Sequence, residues 1–400
     1  MRRPGEVTIG RDLRRALCAP VALLMVLGCG GTATAPAVAS APAPASAPIP
    51  APASAPIPAP GLASAPAPTP APRTPLPDST ATAPPPPPRP VTLSLGDGEL
   101  AAGDAAFERG DLDGARRHYT AAPRGVPATV GLARVRVARA DVPLDFAAAR
   151  GSAEVTAAAA DIERATKAGP TFGPAFVELG RARLLLGDAP GAIEALRHGT
   201  QLLPDEPEAH SQLGVALLAT GHAPEAAREL ARAVELDPGS AARHGNLGTA
   251  LMMAGKTKEA IAEYEARVRL DDGDARAHAD LGTALLATPE LERGLSELQR
   301  AVQLDPRRAG THSNLGYALQ QGGHVDRAVA EYREALRLDP KLASAWINLA
   351  TALARDPKTR GEARAALERA RALSPDDPRV KANLEELDAI EHGPADAGAP

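Results

Sequence analysis

Cysteine is almost missing from this chain: two among 400 residues, Cys18 and Cys29, both near the N-terminus. Everything after Cys29 therefore lacks disulfides, thiolate metal sites and cysteine nucleophiles. Aromatic residues are nearly as scarce, with four Phe, four Tyr and one Trp. That excludes an aromatic-rich β-sandwich and a surface on which nucleobases stack. A positive excess is missing too. The formal net charge is −5, and the acidic balance lies after residue 95 because the earlier residues are net basic. Such a chain offers no general grip on a phosphate backbone, so no nucleic-acid partner is expected. Neither His-Glu-x2-His nor Gly-x-Ser-x-Gly occurs, which removes a zinc-protease helix and a nucleophile elbow. We expect no catalysis, no cofactor, no metal and no small-molecule substrate.

What is present falls into zones. Arg2, Arg3, Arg11, Arg14 and Arg15 precede an apolar run from Ala16 to Gly28. A basic start and a short apolar core predict a secretory signal over 1–28. The run is too short to cross a hydrocarbon core, which needs roughly 20 residues, and Cys18 within it is apolar filler. It closes on Val26-Leu27-Gly28-Cys29-Gly30, which resembles the lipobox of bacterial lipoproteins. There an aliphatic residue and a small residue precede the cysteine that is acylated and becomes the N-terminus. Leu27 stands where a small residue is commoner. The resemblance implies lipidation at Cys29 and a place in the bacterial cell envelope. Because Gly30 is not acidic, it implies the outer membrane, facing the periplasm. More than one acyl chain gives stable anchoring where a single chain is marginal.

Residues 29–95 are rich in Ala and Pro, with Pro84 to Pro88 consecutive. Proline removes backbone donors and locks φ, so neither helix nor sheet ladder can form. The composition predicts a disordered tether of polyproline II character. At ~3.1 Å per residue, some 60 residues would reach at most about 190 Å.

From residue 96 the chain repeats. Gly180, Gly214, Gly248, Gly282 and Gly316 recur at a fixed 34-residue period, and Ala350 continues the series. Each follows a leucine: Leu179, Leu213, Leu247, Leu281, Leu315 and Leu349. Pro204, Pro238, Pro306 and Pro340 keep the same phase, with Asp272 in the missing slot. Apolar residues three and four apart on two segments predict helices A and B. Gly187, Gly221, Gly255 and Gly323 punctuate the turns between them, where a left-handed residue ends helix A; Pro289 replaces that glycine once. Small residues at the eighth, twentieth and twenty-seventh positions let helices cross closely. Large ones at the twenty-fourth position (Leu196, Leu230, Tyr264, Leu298, Tyr332) fill the space between. One hairpin cannot bury its apolar face alone, so neighbours must stack.

These residues resemble the tetratricopeptide repeat family, whose Leu-Gly, Ala, Leu/Tyr, Ala and Pro positions are met in phase. Only Trp346 keeps the family Trp. The resemblance implies an all-α fold, a right-handed α-solenoid of helix-turn-helix repeats. Six units are expected at 173–206, 207–240, 241–274, 275–308, 309–342 and 343–377, after two degenerate units within 96–172, read as 96–129 and 130–172. Asp377 and Pro378 suit the start of a capping helix over 378–392, followed by a disordered tail at 393–400.

In this family helix A lines a concave groove, so its second, fifth, sixth, ninth, twelfth and thirteenth positions should form the walls. The sixth position reads Glu178, Gln212, Asn246, Asp280, Asn314 and Asn348. That resembles the asparagine ladder of superhelical members, in which an amide gives donor and acceptor to an extended peptide backbone. Thr249, Thr283, Tyr317 and Thr351 follow at the ninth position and Met252 at the twelfth; methionine suits apolar side chains of a partner. The fifth position lacks the Lys or Arg that family members use to clamp a terminal carboxylate. His210, His244, His278 and His312 form a column at the fourth position. Residues a whole hairpin apart, ~10 Å, cannot converge on one ion, so packing in place of the family Trp is the reading. Gly255-Lys256-Thr257 lacks the first glycine and the strand of a phosphate loop. Asp271-Asp272-Gly273-Asp274 lacks the ligand alternation of a calcium loop and reads as helix capping.

The expectation is a non-catalytic scaffold or assembly factor that binds an envelope protein or an extended peptide in its groove. The alternative is a docking or recruiting arm for a separate enzyme, such as a peptide O-glycosyltransferase or a cell-wall enzyme.

Overall fold

The computed structural model describes residues 93–140, 142 and 147–392. The expected signal, Cys29, the tether up to residue 92 and the tail at 393–400 lie outside them. The described residues hold 17 helices and no strand. Eight hairpins follow one another: α1 (Glu99–Glu108) with α2 (Leu112–Ala121), α3 (Val126–Arg139) with α4 (Ala153–Ala168), and α5 (Gly173–Leu186) with α6 (Ala189–Leu202). Next come α7 (Pro207–Ala219) with α8 (Ala223–Leu236), α9 (Ala241–Met253) with α10 (Thr257–Leu270), and α11 (Ala275–Leu285) with α12 (Leu291–Leu304). The last are α13 (Ala309–Gln321) with α14 (Val325–Leu338), α15 (Ala343–Leu353) with α16 (Arg360–Leu373), and then α17 (Pro378–His392) alone. This is the all-α solenoid that the repeat predicts.

The helix boundaries have local causes. Gly187, Gly221, Gly255 and Gly323 all have φ between 75° and 81°, the left-handed region that a Cβ disfavours. Where Pro289 stands instead, the Ala287 and Thr288 amides donate three residues back, to Ala284 and Leu285, as Thr220 and Gly221 do in a glycine turn, while Glu290 N turns to Thr288 Oγ1 rather than to a helix carbonyl five residues back. Asp188 caps α6 by accepting from Gly191 N, and Asp274 caps α11 by accepting from Arg276 N. The acidic run at 271–274 is thus used for capping.

Packing follows the small-to-large rule. A Cβ on Gly214 would lie 2.4 Å from the Leu230 side chain, and one on Gly248 2.6 Å from the Tyr264 ring. Leu196, Leu230, Leu298 and Tyr332 are completely buried. Each B helix packs on its own A helix and on the next one, and every A helix also touches the A helix of the following hairpin, whereas no described B helix touches the next B helix. The A helices therefore crowd together on one side of the stack, and the B helices splay on the other.

Two departures concern the N-terminal hairpins. Helix α3 already begins at Val126, so the first hairpin is shorter than a unit ending at 129. The chain also packs from Leu93, within the stretch expected as tether up to 95, because Leu93 and Leu95 are both buried.

Candidate functional site: the face of the A helices

The A-helix face divides into a covered part and an open part. The covered part lies on hairpins one to three. Arg134 on α3, with its side chain only 2% exposed, donates from Nη1 to Asp104 Oδ1 of α1 at 3.0 Å and from Nε to Glu178 Oε1 of α5 at 2.9 Å. Its Nη2 donates to the Leu93 carbonyl at 3.1 Å. Tyr119 donates to the same Asp104 oxygen at 2.6 Å. Burial alone would lower the Arg134 pKa, but Glu178, Tyr119 and Asp104 outweigh it and hold the guanidinium charged. Burial would likewise raise Glu178, yet Arg134 and Arg181 keep its carboxyl below the usual range. Such a network is sound only because each charge has partners.

The open part runs from the fourth hairpin onward and contains the residues expected to line a groove. Gln212 is half-buried and donates to Glu208 at 2.7 Å. Asn246 is 8% exposed, and its Oδ1 accepts no hydrogen bond from the protein. Thr249 donates to the Gly245 carbonyl at 3.0 Å and lies 3.3 Å from the Tyr264 hydroxyl. Met252 is half-buried beside the exposed Met253. Thr283 donates to the Ala279 carbonyl and accepts from Asn314 Nδ2 at 2.9 Å. Tyr317 is 43% exposed, and Asn348 is half-buried. Thr351 is exposed and accepts from Asn383 Nδ2 of α17 at 3.1 Å.

The amide column is thus partly spent inside the protein. Asn314, at the sixth position, donates to Thr283 at the ninth position of the hairpin before it. Asn383 repeats this against Thr351, which makes α17 equivalent to a ninth A helix without its B partner. Asp280 has a different fate. Its carboxylate accepts from Arg267 Nη1 at 2.6 Å, while Arg267 Nη2 reaches Asp274. Burial pushes Asp280 above the ordinary carboxylate value, against Arg267, Arg276 and Arg308 nearby. The fifth position, expected as groove wall, is an under-layer: Val177, Ser211, Ala279, Ser313 and Ile347 are all buried.

Sequence reasoning missed Arg134, Asp104 and Arg267. Arg267 left a signal, since it breaks the column of small residues at the twenty-seventh position. Gly245 makes room for it: a Cβ there would meet the Arg267 side chain at 3.0 Å.

The histidine column packs as expected. In each case Nε2 lies 3.0 Å from the backbone carbonyl six residues back, of Pro204, Pro238, Asp272 or Pro306. Trp346 Nε1 donates to the Pro340 carbonyl at the same 3.0 Å, so imidazole replaces indole in one shared role. Each histidine adds a bond the Trp cannot make, from Nδ1 to Glu229, Glu263, Glu297 or Glu331 of the B helix, at 2.6 to 2.8 Å.

Comparison with known proteins agrees with this geometry. The tetratricopeptide repeat family matches at residues 183–251, 217–287 and 313–378. No curated protein matches the sequence. Among solved structures, the Cut9–Hcn1 hetero-tetramer of APC/C aligns with a TM-score of 0.54 at 16% identity, over 72% of this chain and 55% of that one. YrrB, described as a TPR protein with an unusual peptide-binding site, aligns with a TM-score of 0.38 at 22% identity, over 48% of this chain and 99% of its own. MamA aligns with a TM-score of 0.38 at 25% identity, over 41% of this chain and 96% of its own. With its hairpin stack, its phased small residues and these family matches, the chain is a tetratricopeptide-repeat protein.

Proposed function

We propose that this protein is a non-catalytic scaffold that binds an extended segment of a partner protein along the open A-helix face of hairpins four to eight. The observation that carries the reading is the surface chemistry of that face. Polar groups able to grip a backbone (Gln212, Asn348) accompany partly exposed apolar side chains (Met252, Met253, Tyr317), and beneath them the buried Asn246 Oδ1 has no donor from the protein. Amides serve any sequence, and the apolar side chains add selectivity. The basic leader and the Cys29 motif support a lipid-anchored place in the bacterial cell envelope, with the partner an envelope protein and the Pro-rich stretch a spacer.

One experiment tests both parts. The full-length chain and Cys29→Ser are expressed in a Gram-negative host, labelled with radioactive palmitate and crosslinked in the cell. Label that depends on Cys29, with envelope proteins captured and then lost on Asn246/Asn314/Asn348→Ala, is the expected result. A soluble, unlabelled product removes the anchor, and capture indifferent to the triple substitution removes the groove.

A further inference from the structure

The covered part of the A-helix face is covered by the protein's own chain. Residues Leu93 to Leu95 precede α1 outside any helix or turn. Successive side chains of an extended segment point to opposite sides, and here Leu93 and Leu95 are buried while Ser94 between them is exposed. Both ends of the segment are held through the backbone. The Leu93 carbonyl accepts from Arg134 at 3.1 Å, and the Leu95 amide donates to Asp104 Oδ2 at 2.8 Å. Asp104 and Arg134 occupy groove positions of the first two hairpins, and Arg134 is braced by Glu178 of the third.

The direction of the segment follows from its neighbours. Leu95 joins the apolar cluster of Phe107, Tyr119 and Val130, whereas Leu93 joins the one that begins at Val177 and Leu184. The Leu93 carbonyl is held from hairpin two and the Leu95 amide from hairpin one, so the chain descends against the order of the hairpins. Exposure follows the cover: Asp104 and Arg134 are buried, Arg181, Val215, Thr249 and Thr283 are half-buried, and Tyr317 and Thr351 are exposed.

We propose that Leu93-Ser94-Leu95 is an intramolecular ligand of the groove, and that the segment this face takes in trans has the same chemistry. That segment is an extended stretch with leucine-type side chains at alternate positions, running opposite to the hairpin order, which displaces the strap from hairpins one to three. The inference rests on the groove reading above and deepens it by naming the ligand class. Tethering gives the strap an effective concentration in the millimolar range, so a bound segment that reaches beyond the open hairpins onto hairpins one to three must compete with it.

The test uses the full-length protein and a fluorescent peptide of residues 91–96, Val-Thr-Leu-Ser-Leu-Gly. A second peptide with both leucines replaced by aspartate is the control. The expected result is that Leu93→Asp protein binds the first peptide at least about tenfold more tightly than wild type, by the effective-concentration argument, and that neither protein binds the control. Equal binding by the two proteins, or binding of the control, overturns the proposal. A measurement on unsubstituted protein guards against misfolding of the variant. Hydrogen exchange at the Leu95 amide is expected to be slow and to quicken when excess peptide is added. Exchange at the rate of a free chain, or no response to peptide, overturns the proposal. Partner capture separates the two readings: if it is abolished by Asn246/Asn314/Asn348→Ala while the peptide result fails, the strap proposal falls and the groove remains.

Discussion

Three side chains show how individual residues set the behaviour of the stack. Arg134 ties three hairpins and the strap together from a nearly water-free position. Arg134→Ala leaves Asp104 buried without its counter-charge and Glu178 with Arg181 alone, and we expect a loss of about 3–5 kcal/mol, read from urea unfolding. Arg267→Ala removes the partner of Asp274 and Asp280. It should free the Asp280 carboxylate toward the open face while costing a smaller amount, since both acids retain 32% side-chain exposure. His210 carries a pH signature. Its hydrogen bond to Glu229 raises its pKa above the ordinary value, against the cost of burial, with the Pro204 carbonyl helping. A raised folded pKa stabilises fully below the unfolded value near 6.5, and that contribution is lost as pH rises through the folded value. The destabilisation caused by Glu229→Gln, measured from urea midpoints, should therefore be larger just below about pH 6.5 than in alkaline solution, and shrink as the pH rises.

At the scale of elements, the crossing of A and B helices depends on the eighth position. Gly214→Ala would bring a methyl within 2.4 Å of Leu230, so either the leucine leaves its rotamer or the helices part. Overpacking of this kind costs about 1–3 kcal/mol, and the urea midpoint should fall with little change in helix content. Helix α17 is the other telling element. It packs Val380 against Ile347 and Ala370, and Leu387 is 1% exposed. Leu387→Asp should loosen this cap, expose the last hairpin and promote self-association, visible as a concentration-dependent sedimentation coefficient. The repeating helical hairpin was legible in the sequence, because it depends on spacing within one repeat. The start of α3 was not, since its register is marked only by a second copy of the pattern Pro-Ala, Val, Leu, Arg, at Pro127 to Arg134 and Pro174 to Arg181.

Among the described helices, each hairpin touches only its neighbours, so stability should be a sum of local terms. A destabilising change in hairpin seven, such as Tyr332→Ala, is expected to raise amide exchange in hairpins six to eight and leave hairpins one to three unchanged. Exchange that quickens uniformly would show a single cooperative unit instead. The covered and open parts of the A-helix face divide the stack in the same way: a braced end that holds its own chain, and an open end available to a partner.

The amino-acid sequence by itself determined the repeat, its period, the all-α class and which positions are small or large, because these follow from helix geometry and are written within each unit. It also placed the histidines in the role of the family Trp. Only the tertiary structure decided which polar groups remain for a partner. Asn314 is spent on a threonine of the preceding hairpin, Gln212 on Glu208 of its own helix, and Asp280 is engaged from a B helix in another unit. Only the fold, too, brings Leu93 beside Arg134, 41 residues away in sequence. Contacts between residues that far apart leave no periodic trace, so no reading of spacing could have found the strap.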